Sequence, residues 1–293
     1  MPGPWEHRTI TANGSRFHLA EAGTDGAPLV VLLHDYPQFW WAWRNQIPAL
    51  AAAGYHVAAM DLRGFGASDK SPRNIATPRS CFDVAGVVSA LGYSRATVVG
   101  HGVGALAAWS MTAFTPEVTT AVVALSAPHP LTLRRHRLPV GTAAWLQWIQ
   151  APWFPERSIT HGDAVEGYLR ACSHVQEPVV SQAALYTEAM RLPFAAHCAM
   201  EHFRWQVRSA GRNDGRAYMR RLRTAPAVRT LVLFGEHDRV LPPSLYRYDA
   251  EVAPHAEHRL VPGAGHFLPE EAPDAVTGAL LEFLGGDGPE PSR

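Results

Sequence analysis

Chemistry in this chain is concentrated at four short stretches: Gly100-His101-Gly102-Val103-Gly104, His34-Asp35-Tyr36-Pro37, Gly235-Glu236-His237-Asp238 and Gly263-Ala264-Gly265-His266-Phe267. The last two supply an acid, Asp238, followed along the chain by a histidine, His266. Glu236 is a nearby rival acid. The first stretch supplies the setting for a nucleophile. Residues 97–99 read as a short buried strand, the glycines make a sharp turn, and small and apolar residues from Val103 to Trp109 open a helix. The spacing small-x-nucleophile-x-small places the nucleophile at position 102. That residue is Gly102, so neither an acyl- nor an alkyl-enzyme can form there. Glycine suits the backbone of such a strained turn, because it tolerates positive φ at little steric cost. His101 does not stand in, since the turn points only position 102 into a site.

The elements that must position these stretches follow an alternating pattern. Residues 7–11 and 15–22 alternate apolar and polar around Asn13-Gly14, a hairpin signal. Residues 28–34 form a continuous apolar run, as expected for a central strand covered on both faces. An amphipathic helix is expected through about Ala53, then a strand over 55–60, a helix over 78–91, the 97–99 strand with its helix, and a strand over 118–126. Strands alternating with helices, with loops at the strands' carboxyl ends, predict a mostly parallel sheet with helices on both faces. Residues 128–225 carry no strand-like run, and the strand pattern resumes at 228–235 and 258–261. The insertion reads as a helical cap after the sixth strand. The expected organisation is a core of 1–127 and 226–285, a cap of 128–225 and a disordered Gly/Pro-rich tail of 286–293. The charge run at 133–137 reads as a solvated face, and Trp40, Trp41 and Trp43 as packing.

Composition narrows the partners. The 293 residues are 47% hydrophobic and 18% charged, enough to bury a large core. Lys and Arg total 26 and Asp and Glu total 26, so the formal net charge is zero and nothing points to nucleic acid or an anionic membrane surface. No apolar run is long enough to span a bilayer, and the first residues lack the basic and apolar regions of a signal peptide. Cys81, Cys172 and Cys198 are few, odd in number and far apart, which predicts reduced thiols in a cytoplasmic setting. The 15 histidines show no metal-ligand spacing, so neither a metal nor a cofactor is expected.

Taken in order, His34-Asp35-Tyr36-Pro37, Asp61-Leu62-Arg63-Gly64-Phe65-Gly66-Ala67-Ser68-Asp69, the glycine turn, Gly235-Glu236-His237-Asp238 and Gly263-Ala264-Gly265-His266-Phe267 resemble the α/β-hydrolase fold over about residues 7–285. The segment from Tyr36 through Arg44 to Lys70 is similar to its epoxide hydrolase-like branch. The resemblance implies His266 as general base, with Asp238 holding its imidazole in the useful tautomer and offsetting its charge. It implies the backbone N–H groups of Tyr36 and Val103 as an oxyanion hole, aided by the positive helix N-terminus. It also implies a cis Tyr36–Pro37 peptide and two cap tyrosines that protonate the epoxide oxygen. Tyr218 is the better positional match, with Tyr168 and Tyr186 as partners, although a packing role is at least as expected for each. Asp35 and Trp109 are the substrate-binding candidates.

Two positions depart from that pattern. Gly102 stands where epoxide hydrolases carry Asp and esterases carry Ser, and Asp35 stands where the family motif has Gly. A surface or hydrogen-bonding role is the first expectation for Asp35, and a displaced carboxylate near His266 the alternative. The reading that follows is hydrolysis of an epoxide or ester-like apolar small molecule by a water that His266 and Asp238 activate in the space vacated at Gly102. The alternative is a catalytically silent protein that binds an apolar small molecule beneath the cap. Use of the His266–Asp238 base in a different reaction, and a protein-interaction role for the tryptophans, are weaker readings.

Overall fold

A computed structural model of the chain describes residues 1–71 and 75–286. Eight strands form one sheet: β1 (Glu6–Ala12), β2 (Ser15–Ala22), β3 (Leu29–Leu33), β4 (His56–Met60), β5 (Ala96–His101), β6 (Thr119–Leu125), β7 (Arg229–Gly235) and β8 (Glu257–Val261), in the order β1-β2-β4-β3-β5-β6-β7-β8. Asn13-Gly14 closes the expected hairpin, with Ala12 opposite Ser15. β1 and β2 run antiparallel, β2 pairs antiparallel with β4, and every remaining pair is parallel. All five residues of β3 and of β4 and all six of β5 are buried. That is why these strands read as unbroken apolar runs rather than alternations.

Helices α1 (Gln46–Ala52), α2 (Thr77–Ala90) and α3 (Val103–Phe114) cover the sheet in the first half of the chain. The helix expected through about Ala53 is α1, and a 3-10 turn over Trp40–Trp43 precedes it. Asp61 Oδ1 accepts from the Trp40 N–H at 2.8 Å and ties this turn to the loop after β4. Pro48 falls in the first turn of α1, where no intrahelical N–H is needed. Trp40 and Trp43 are buried, which matches their expected packing role.

Between β6 and β7 the chain forms α4 (Pro130–Arg135), α5 (Val140–Trp148), α6 (Phe154–His161), α7 (Ala164–Cys172), α8 (Glu177–Val180), α9 (Ala183–Arg191), α10 (Ala195–Arg208) and α11 (Asn213–Arg223), with no strand. This segment lies over the carboxyl edge of the sheet. The Tyr36 ring, on the loop after β3, packs against Trp145 of α5, Tyr168 of α7 and Phe203 of α10 at centroid distances of 5.8, 5.2 and 5.7 Å. The chain closes with α12 (Leu268–Glu271) and α13 (Pro273–Gly285). Apart from Gly286, the expected tail lies outside the described residues. Among the described residues no helix is long and apolar enough to cross a membrane.

Candidate active site

Four loops at the carboxyl ends of β3, β5, β7 and β8 converge on one buried imidazole. His266 donates from Nδ1 to Asp238 Oδ2 at 2.8 Å and from Nε2 toward Asp35 Oδ2 at 3.2 Å. All three residues are at most 3% exposed. Asp238 is fixed by the Val240 and Leu241 N–H groups, which donate to its Oδ1 at 2.8 and 2.9 Å. The His266 carbonyl accepts from Ser126 Oγ at 2.6 Å and from His101 Nε2 at 2.8 Å. Glu271 fastens the same loop to the helical segment. Its carboxylate accepts from the N–H groups of Gly265, Phe267, His174 and Val175, all at 2.8–2.9 Å. The structure thus brings the sequence candidates His266 and Asp238 into direct hydrogen-bond contact.

The chain turns sharply after β5 at Gly102. Gly102 has φ 51° and ψ −110°, and Val103 starts α3 immediately behind it. Gly104 has to be small, because a Cβ there would lie 2.4 Å from the Leu33 carbonyl oxygen. The space at Gly102 is not open for a water, contrary to the sequence expectation. A Cβ on Gly102 would fall 2.0 Å from Asp35 Cγ, 2.2 Å from Oδ2 and 2.3 Å from Oδ1. Asp35 Oδ1 accepts from the Val103 N–H at 2.8 Å. Of the surface or hydrogen-bonding role first expected for Asp35, the surface part is overturned by its burial, and its carboxylate hydrogen-bonds beside His266. Its backbone is held as well. His34 accepts from the Leu62 N–H at Nε2 (3.0 Å), which leaves Nδ1–H to donate to the Asp35 carbonyl at 2.9 Å. The Tyr36–Pro37 peptide is cis, and the Tyr36 N–H has no partner among the described residues.

Residues 28–273 match the family model of the alpha/beta hydrolase fold. The chain belongs to that family. It is 33% identical to epoxide hydrolase A of Mycobacterium tuberculosis (strain ATCC 25618 / H37Rv), over 98% of this chain and 99% of that protein. It is 30% identical to the AB hydrolase superfamily protein YfhM of Bacillus subtilis (strain 168), over 94% of this chain and 96% of that protein. Among solved structures, a putative epoxide hydrolase from Pseudomonas aeruginosa superposes with a TM-score of 0.82 at 28% identity, covering 98% of this chain and 97% of that one. The epoxide hydrolase CorEH superposes with a TM-score of 0.80 at 26% identity, covering 96% and 99%.

In this α/β-hydrolase the site opens into a cavity of about 820 Å³ with Asp35, Gly102 and His266 at its floor. Its walls are largely apolar, with Leu106 from α3, Leu241 from the loop after β7, and Trp145, Tyr168 and Phe203 from the inserted helices. Such a chamber suits a small apolar molecule with one polar end. Two sequence candidates are not brought to this floor. Tyr218 is buried at the cavity's far end with its hydroxyl 2.9 Å from Ser110 Oγ. Ser110 lies eight residues beyond Gly102, about 12 Å along a helix. Trp109 faces the core rather than the cavity. Its Nε1 donates to the Ala127 carbonyl at 3.2 Å, and only 1% of it is exposed. Tyr168 is the tyrosine of the helical segment that does reach the site, between the Tyr36 ring and the Phe267 ring.

Charge within the cluster is tightly coupled. Burial alone would lower the His266 pKa, but the charge and hydrogen bond of Asp238, then those of Asp35, outweigh it and raise the group to about 10. Burial pushes the Asp35 carboxyl up, while the His266 hydrogen bond, the nearby His101 and His266 rings and the Val103 N–H bring it below its ordinary value. The two aspartates together favour the protonated form of the His266 imidazole. His101 is held neutral chiefly by burial, with its pKa down to about 4. Burial, then the Cys172 thiol and Asp35, raise the Tyr168 hydroxyl well above its ordinary value.

Asp35, His101 and His266 place one carboxylate oxygen and two imidazole nitrogens within 4.8 Å of one another, a donor set for a metal that no sequence spacing suggested. Each of these groups is already engaged. His101 bonds the His266 carbonyl and meets the Gln38 amide at 3.1 Å, and His266 spans the two aspartates.

Sequence reasoning missed a second buried cluster behind the site. Arg44 Nη1 and the Tyr186 hydroxyl donate to Glu270 Oε1 at 2.5 and 3.0 Å, and Gln38 Nε2 donates to its Oε2 at 2.5 Å. Glu270 is 1% exposed, and burial raises its pKa to about 7 despite Arg44. The cluster ties α9 of the helical segment to α12 and to the loop after β3. The available signal was a charged pair, Glu270-Glu271, placed directly after an apolar active-site turn.

Proposed function

We propose that this α/β-hydrolase hydrolyses epoxides or ester-like small molecules of apolar character. The observation that carries the reading is His266, oriented by Asp238, at the floor of the apolar cavity. His266 activates the hydrolytic water, and Asp238 keeps the ring aligned and offsets its charge. The Val103 and Tyr36 N–H groups are the donors for oxygen charge that develops in the reaction. Residues 128–225 act as the cap that closes the cavity. Tyr168, rather than Tyr218, is the cap tyrosine that hydrogen-bonds a substrate oxygen. The epoxide hydrolases among the relatives and solved structures support this choice of substrate class. The test is turnover of a panel of epoxides and esters by purified protein beside a His266→Ala control. Activity that disappears in the control supports the reading, and equal rates in the two proteins contradict it.

One observation favours a second reading, a silent small-molecule binder. The Val103 N–H that would stabilise an oxyanion is already occupied by Asp35, and the same carboxylate is paired with the base. A cavity ligand that raises the melting temperature while no product forms across the panel would favour it.

A further inference from the structure

We propose that Asp35 is the nucleophile of this site, delivered from the loop after β3 in place of a side chain at position 102. The inference rests on the hydrolase reading above and goes beyond it in naming a covalent step.

Three observations converge. The Asp35 carboxylate fills the volume where any side chain at position 102 would begin, with Cγ 2.0 Å from the site of a Gly102 Cβ. Its two oxygens face different surroundings. Oδ1 is held by the Val103 N–H at 2.8 Å, while Oδ2 points to His266 at 3.2 Å on the cavity floor. A carboxylate that forms and then loses an ester needs that asymmetry. Oδ2 bonds the substrate carbon, and Oδ1 becomes the ester carbonyl oxygen, already placed on the amide donor that will stabilise it when water adds. Finally, the residue is locked in place. It is 3% exposed, and its carbonyl is bonded to His34. A surface aspartate would pay no such ordering, and a carboxylate serving only to orient His266 would duplicate Asp238.

For an epoxide the step balances as follows. Asp35 Oδ2 attacks a ring carbon, the C–O bond opposite it breaks, and the ring oxygen takes the proton of the His266 imidazolium, directly or through the Tyr168 hydroxyl. The products are a neutral hydroxyalkyl ester of Asp35 and a neutral His266. With the Asp35 charge gone, His266 has lost one of the two groups holding its proton and can act as a base. It takes a proton from water, and the hydroxide adds to the Asp35 ester carbonyl. The tetrahedral intermediate expels the diol oxygen, which recovers the proton from His266. The new carboxyl proton then passes to His266, restoring the carboxylate–imidazolium pair. One water and one epoxide give one diol, and the water oxygen is left in Asp35.

Isotope placement tests this directly. Protein in excess over styrene oxide is allowed one turnover in H₂¹⁸O, and the diol and the Asp35 peptide are analysed by mass spectrometry. Unlabelled diol and an ¹⁸O-labelled Asp35 peptide are expected. Labelled diol with an unlabelled peptide would overturn the nucleophile and leave the hydrolase reading standing. No diol from styrene oxide or from any other member of the epoxide and ester panel would overturn both. Asp35→Asn is expected to lower turnover by about a thousandfold or more, while the folded-state spectrum stays intact.

Discussion

The side chain of Asp35 and the missing side chain of Gly102 compete for one volume, with Asp35 Cγ only 2.0 Å from where a Gly102 Cβ would sit. Two positions 67 residues apart in the chain are therefore a single choice in space. An aspartate fits at one of them only if the other is glycine. The two departures from the family pattern occupy one volume in the fold.

Gly102→Ala is expected to destabilise the protein by about 2–4 kcal/mol, combining overpacking against Asp35 with a methyl group at positive φ. Urea denaturation measures it. Adding Asp35→Gly should recover the overpacking part, so the double-mutant cycle shows a coupling of about 1–3 kcal/mol. Additive effects would contradict the shared volume.

The pH dependence of kcat/KM separates two routes. If Asp35 attacks first, the reactive form is the carboxylate beside a protonated His266, and that form persists until pH approaches about 10. The rate should be flat from about pH 6 to about pH 9 and fall above that range. Direct attack by water in the resting enzyme needs neutral His266, so the rate would rise over the same range. Stability follows the same titration. His266 gains its proton near 6.5 when unfolded and near about 10 when folded, facing Asp238 and Asp35 with His101 alongside. Its stabilising contribution is complete below about pH 6.5 and is lost as pH climbs to about 10. Melting temperatures of wild type and His266→Gln across that interval test it, with the decline expected to be shallower in the variant.

Tyr168→Phe is expected to lower turnover of styrene oxide about 10- to 100-fold, because the ring oxygen loses its hydrogen-bond donor. Tyr218→Phe should leave turnover within about twofold and cost about 1 kcal/mol of stability through the lost bond to Ser110. Steady-state kinetics and melting curves of both variants check the assignment. Reversed effects would return the role to Tyr218.

Arg44→Met leaves Glu270 buried without its countercharge, and a loss of about 3–5 kcal/mol is expected. Arg44→Met combined with Glu270→Gln should recover most of it in urea denaturation, since the uncompensated charge is gone. A double variant as unstable as the single would show that packing, rather than charge, dominates the cluster.

The fold was legible because its signals are local. Buried parallel strands read as apolar runs, Asn13-Gly14 read as a hairpin, and Asp238 and His266 lay in two glycine-bounded turns. Both β-strand edges and the order of motifs followed. The meaning of Asp35 was not legible, because its partners Val103 and His266 are 68 and 231 residues away. Sequence spacing gives a backbone position, whereas occupancy of a shared volume depends on how two loops approach. The same limit applies to Trp109, which follows the glycine turn in the chain yet faces the core, and to Tyr218, which lines the cavity with its hydroxyl on Ser110. Glu270 was missed because its partners come from three separate elements.

The most direct measurement of the shared volume is the turnover of styrene oxide by Asp35→Gly, Gly102→Asp and the double variant that carries both. Each single variant should lose about a thousandfold or more, the first for want of a nucleophile and the second because two carboxylates cannot share the site. The double variant, with the carboxylate returned to the turn after β5, should come within about tenfold of wild type. An Asp35→Gly protein as active as wild type, or a double variant as inactive as the singles, would contradict the equivalence of the two positions.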